Sequence, residues 1–163
     1  MDRIWAPWRM GYIEGVKPEG CVFCLEQSVE GDRERLVLHR SSFSFIIMNL
    51  YPYTNGHLMV IPCKHTSSLD DLDEAELLDF MKTLRLGRML LERAFAPQGF
   101  NIGMNLGQAA GAGVADHLHF HIVPRWIGDS NYMTVTSETR VIPESLSATY
   151  EKLAKVMAAL EVS

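Results

Sequence analysis

His117, His119 and His121 occupy alternate positions in the run His117-Leu118-His119-Phe120-His121-Ile122-Val123-Pro124. On a β-strand, alternate side chains share a face. Three imidazoles would then lie side by side, with Leu118, Phe120 and Ile122 on the opposite face. The apolar face can pack into a core, but the imidazole face has no packing role. Charged imidazoles repel one another at that spacing, so the row stays neutral or holds a metal or an anion. A neutral imidazole, with an ordinary pKa of about 6.5, can act as nucleophile or general base while its neighbours orient it.

Gly103-Met104-Asn105-Leu106-Gly107-Gln108-Ala109-Ala110-Gly111-Ala112-Gly113 leads into this strand. Glycines allow close backbone approach, and runs of N–H donors cradle phosphate oxygens. The stretch is not a P-loop, because no Gly-Lys-Ser/Thr closes it. It is not a dinucleotide fingerprint, because it enters a strand and not a helix. Beside three histidines it reads as an anion cradle. Cys21 and Cys24 form a CxxC, half of a tetrahedral zinc set, with His65 and one triad histidine as candidate partners. A redox pair is the rival reading. His39 and His57 are less obvious ligands, and Cys63 reads as a space filler. Asn49, Asn55, Asn101 and Asn105 stand at strand ends. Asn49, after an apolar strand and before a Tyr-Pro turn, is placed to face a ribose hydroxyl.

These residues need a scaffold. Leu36–Arg40 and Phe43–Met48 read as strands joined by a Ser-Ser turn, and His57–Ile61 as a third, stopped by Pro62. Phe43, Phe45 and Ile47 would line a nucleoside slot, with Ile46 and Met48 turned to the core. Ser67–Phe95 reads as a long helix, capped by Ser68 or Asp70, with Leu77, Met81, Leu84, Leu91 and Phe95 as its buried stripe. Gly87 inside it marks close packing. Phe100–Leu106 is a strand before the glycine-rich loop. Glu144–Leu160 is a C-terminal helix burying Leu146, Tyr150, Leu153, Met157 and Leu160. Strands, helix, strands, helix predict an α+β fold with a mostly antiparallel sheet.

The chain has 163 residues, 47% of them apolar, which suits one domain spanning 1–163. An N-terminal arm covers about 1–20 and a C-terminal extension about 127–163. A net charge of −5 argues against nucleic acid or an anionic membrane as partner. No membrane span or signal-peptide core is seen, and three cysteines suit a reducing compartment, so a cytoplasmic protein is expected. Trp5, Trp8 and Trp126 lie outside clear core periodicity and point to an interface, hence a homodimer.

The assembled residues resemble the histidine triad (HIT) superfamily. The signature His-x-His-x-His followed by two apolar residues is complete in His117 to Val123. Asn55 to His65, Asn101 to Gly107 and Pro124-Arg125-Trp126 match as well. Trp5-Ala6-Pro7-Trp8-Arg9 resembles the bacterial branch near diadenosine tetraphosphate phosphorylases. The resemblance implies a HIT-like fold with one long central helix, a homodimer with joined sheets, and a purine nucleotide substrate. It implies that His119 attacks an α-phosphorus to form a nucleotidyl-histidine, that His121 bonds phosphate oxygens, and that His117 orients the strand or ligates zinc. It also implies structural zinc on Cys21, Cys24, His65 and His117. Several branches carry serine or glutamine four residues before the first histidine. Gly113 stands there in this chain, and Gln108 is the loop residue that could substitute. Asn49, Asn105, Gln108, Gly111 and Gly113 complete the expected nucleotide site. The resulting expectation is a hydrolase or nucleotidyltransferase acting on adenosine polyphosphates or related nucleotides. Phosphorolysis with inorganic phosphate is the enzymatic alternative, and a non-catalytic nucleotide sensor the alternative of another class.

Overall fold

A computed structural model describes residues 20–25, 29–129 and 142–161. Trp5, Trp8 and the N-terminal arm before Gly20 lie outside the described residues. Five strands, β1 (Val37–Arg40), β2 (Ser44–Met48), β3 (Leu58–Pro62), β4 (Gly99–Met104) and β5 (Phe120–Arg125), form one antiparallel sheet in the order β1-β2-β3-β5-β4. Two α-helices follow the expected places, α1 (Glu74–Phe95) and α2 (Leu146–Glu161).

The sheet is apolar on both faces in its middle, so β2 and β3 are buried along their whole length. Ile46, Met48, Leu58, Val60, Leu118 and Ile122 meet Phe80, Leu84, Leu90 and Leu91 of α1 and Leu153 and Met157 of α2. Phe45, Ile47, Met59 and Ile61 turn the other way and pack under Phe23. The nucleoside slot expected along this second face is therefore filled at Phe45, which is buried, while Phe43 is exposed.

Gly87 sets how closely α1 approaches the sheet. A Cβ there would lie 2.8 Å from Cδ1 of Ile122. The helix begins later than its sequence suggests. Ser68 caps a short 3-10 turn, Leu69–Asp71, and Asp73 caps α1 in a reciprocal box with Glu76. The buried stripe is Phe80, Thr83, Leu84, Gly87, Leu90 and Leu91, with Leu77 and Met81 facing solvent. Cys63 is exposed past the end of β3 and does not fill space. The histidine strand begins at Phe120, so His117 and His119 precede it in the chain. No helix among the described residues is long and apolar enough to cross a membrane.

Candidate active site

Strand register builds the site. Ile47 pairs with Met59, Met59 with His121, and His121 with Gly103. Directly opposed residues share a face, so one strip runs from apolar side chains through an imidazole to a position with no side chain. The neighbouring strip, Ile46, Val60, Phe120 and Met104, lies on the face covered by α1. Leu118 N–H donates to the Thr66 carbonyl (2.7 Å), which ties the segment before β5 to the loop after β3. Leu118, Phe120 and Ile122 turn into the helix-side core, and the three histidines take the other side, as alternation requires.

Hydrogen bonds fix which nitrogen of each imidazole carries a proton. Nδ1 of His119 lies 2.9 Å from the His117 carbonyl oxygen. A carbonyl only accepts, so Nδ1–H donates, and in the neutral ring Nε2 keeps its lone pair. The Tyr53 backbone N–H donates to Nδ1 of His57 (3.1 Å), as does the Asn49 amide (3.3 Å). Neutral His57 must then hold its proton on Nε2, which donates to Nδ1 of His121 at 2.9 Å. His121 in turn carries its proton on Nε2. Burial, reinforced by His121 and His119, pushes His57 down from 6.5 to about 3, so it stays neutral at cellular pH. Burial also lowers His121, with His119 adding to the effect. The site thus pairs a bare Nε2 on His119 with an Nε2–H donor on His121, their rings 4.9 Å apart. Phe23 stacks obliquely on His119 at 5.1 Å.

Sequence reasoning passed over His57 and Tyr53. The signal for His57 is its place one residue before Leu58, which pairs with Ile122 of the triad strand. Tyr53 is a ring neighbour of both His57 (4.6 Å) and His121 (5.8 Å).

Cys21, Cys24, His65 and His117 come together as expected, with ligand atoms all within 4.8 Å of one another. Nδ1 of His117 lies 3.3 Å from Sγ of Cys21 and 3.3 Å from Nδ1 of His65, and Cys24 Sγ lies 3.2 Å from Nδ1 of His65. Tetrahedral zinc, with bonds of about 2.0 Å to nitrogen and about 2.3 Å to sulfur, sets its ligands at such separations. Nε2 of His117 donates to the Pro62 carbonyl (2.8 Å), which turns the Nδ1 lone pair toward the cluster. This donor set is compatible with zinc. Among the described residues it is the group of this kind that the fold assembles.

Asn49 sits against the histidines through His57, and its carbonyl oxygen accepts from the Tyr51 N–H (2.9 Å). Asn105 and His121 line a cavity of about 380 Å³ with Tyr53, Asn101, Gly103 and Arg125. Gln108 begins a 3-10 turn, Gln108–Ala110, closed by Gly111 at φ +84°. Gln108, Gly111 and Gly113 are exposed on this loop, and a Cβ at Gly113 would meet nothing within 4 Å.

A five-stranded antiparallel sheet flanked by two helices, with three alternating histidines gathered on its other face, defines an α+β class of protein. A HIT domain family model matches residues 30–126. AP-4-A phosphorylase of Mycobacterium tuberculosis is 37% identical over 162 residues, covering 94% of this chain and 83% of the relative. The asymmetrical bis(5'-nucleosyl)-tetraphosphatase of Schizosaccharomyces pombe is 37% identical over 89 residues, 55% of this chain and 48% of that protein. A zinc-bound histidine triad family protein from Mycobacterium smegmatis superposes with a TM-score of 0.64 at 28% identity, covering 87% of this chain and 96% of the other. The chain belongs to the HIT family, whose named relatives here are nucleotide hydrolases and phosphorylases.

Proposed function

We propose that this chain cleaves adenosine polyphosphates by nucleotidyl transfer to His119. The observation that carries the reading is the bond from His119 Nδ1–H to the His117 carbonyl, which leaves Nε2 of the neutral ring with its lone pair, beside His121. Nε2 attacks the α-phosphorus. The N–P bond forms as the bond from phosphorus to the bridging oxygen breaks, and the electron pair leaves with the polyphosphate. That leaving group is a phosphate anion and needs no proton. His121 donates a hydrogen bond from Nε2–H, stabilising charge on the phosphate oxygens without giving its proton up. Water or inorganic phosphate then attacks phosphorus from the side the polyphosphate vacated, opposite His119, and displaces His119 as neutral imidazole. With water, the surplus proton passes to solvent. Covalent catalysis divides one difficult substitution into two easier ones. Asn49 would hold the ribose, and Asn105, Gln108, Gly111 and Gly113 the phosphate at the cleaved bond.

Phosphate as acceptor is favoured by the likeness to AP-4-A phosphorylase along 94% of the chain. Incubation with diadenosine tetraphosphate, with and without inorganic phosphate, separates the readings. ADP plus ATP, formed only with phosphate, marks phosphorolysis, whereas AMP plus ATP marks hydrolysis. Tight nucleotide binding with no product under either condition would leave the non-catalytic sensor and refute the transfer.

Zinc on Cys21, Cys24, His65 and His117 would be structural, since four protein ligands leave no position for substrate. It would staple the Cys21–Cys24 segment to the stretch before β5 that carries His117 and His119. The protein would act as a homodimer joined through β4, an edge strand whose Asn101, Ile102 and Gly103 are exposed.

A further inference from the structure

The strip that carries His121 ends on Gly103, where a Cβ would meet nothing within 4 Å. The cavity beside His121 therefore has bare backbone for part of its floor. Val123 and Arg125 continue the His121 face along β5, since alternate residues of a strand point the same way. Asn101, paired with Val123, continues it on β4. Arg125 donates from Nε and Nη2 to the Asp129 carboxylate (2.5 and 2.9 Å) and from Nη1 to Oδ1 of Asn101 (2.6 Å). Asp129 thus holds the guanidinium in place. Asn101 spends its oxygen on Arg125, and its Nδ2 hydrogens are the donors it can offer a ligand. Tyr53, about half exposed, flanks the same cavity.

We propose that this cavity takes the leaving half of a dinucleoside polyphosphate, with the phosphates beyond the cleaved bond over Gly103 and against Asn101 and Arg125. The inference rests on His119 as nucleotidyl acceptor. In-line displacement puts the leaving oxygen on the side of phosphorus opposite the attacking nitrogen. A chain departing from His119 past His121 runs along β5 toward Arg125. Four residues of strand from His121 to Arg125 span about 13 Å, enough for several linked phosphates and too far for a lone amine or monophosphate. The strip on the far side of His121, Ile47 and Met59, is covered by Phe23, whereas the Gly103 side is open. Arg125 thereby selects for the length of the leaving chain.

The test compares diadenosine tetraphosphate with adenosine 5'-phosphoramidate, whose leaving group is too short to reach Arg125. Arg125→Gln removes the guanidinium, and Gly103→Val fills the floor at a site with space for the side chain. In each variant the ratio of kcat/KM for the tetraphosphate to that for the phosphoramidate should fall tenfold or more. A ratio within threefold of wild type in both variants overturns the assignment, even if total activity drops. Retained turnover in His119→Asn, or a wild type inert toward both substrates, overturns the transfer reaction and this inference with it.

Discussion

His57 decides which nitrogen of His121 is left as a donor. Its Nδ1 is held by the Tyr53 N–H, so its Nε2–H points at His121 and turns that ring's own N–H outward. His119→Asn should cut turnover by three orders of magnitude or more in steady-state assays and leave nucleotide affinity within a few fold by calorimetry. His57→Phe should lower kcat by about ten- to a hundredfold with little change in KM, the size of effect expected for a group that orients a reacting side chain. The buried histidine also sets an acid limit. Its folded pKa is depressed to about 3, so the unfolded chain binds the proton first. Stability is flat above pH 7 and falls as pH drops below about 6.5, by about 2 kcal/mol at pH 5 from this group. Denaturant unfolding at pH 7 and pH 5 should show this loss, reduced in His57→Phe. The triad was legible because three imidazoles at period two have no bland explanation. His57 was not, because a lone histidine at the start of an apolar strand looks like any other until the register sets it against His121.

The long helix shows where pattern reading slipped at the level of elements. Leu77 and Met81 have helical spacing with Leu84 and Leu91, yet both face solvent. The buried face is defined by Phe80, Leu84, Gly87 and Leu91, and a glycine carries no hydrophobic signal to mark it. Ser68 and Asp70 looked like caps because capping chemistry recurs in Ser68, Asp70 and Asp73, and only the box closed by Glu76 separates the true start from the turn before it. The alternation of β2 was readable, with Ile46 and Met48 turned to the core, whereas the order of the strands was not, because pairing between distant segments leaves no mark in any one of them. Filling of the slot by Phe23 was not readable, since Phe23 is distant in sequence and placed by the Cys21–Cys24 segment. Gly87 gives a test of the helix–sheet fit. Gly87→Val would drive a branched side chain into Ile122, with Ile46 and Val60 just beyond at 3.7 and 3.8 Å. Overpacking of this kind costs about 1–3 kcal/mol, more than the helix propensity gained. A thermal melt should move down by several degrees, and an unchanged melt would mean the helix can back away from the sheet.

At the scale of the whole molecule, two features bear on the site. One is the Cys21–Cys24 segment, where Phe23 lies over His119 while the cysteines meet His65 and His117. Metal binding to such a set is coupled to folding, so protein purified without added metal should carry about one zinc per chain by elemental analysis. Chelation should lower the melting temperature and weaken nucleotide binding together. A stoichiometry near zero would return Cys21 and Cys24 to the redox reading. The other is the edge of β4. Among the described strands, β1 and β4 form the sheet's edges, and β4 leaves Ile102 43% exposed beside the buried Ile122. An exposed edge with an uncovered apolar residue is a template for strand pairing, and natural monomers blunt such edges with charge. This edge carries no charged residue from Gly99 to Met104. Two copies joined edge to edge would continue the sheet and bring the cavities over Gly103 toward one another. Wild-type protein should sediment as a dimer at micromolar concentration, and Ile102→Lys, which places a charge on the seam, should shift it to monomer with the fold intact by circular dichroism. A monomeric wild type would mean that β4 is protected by some other contact and that each copy works alone.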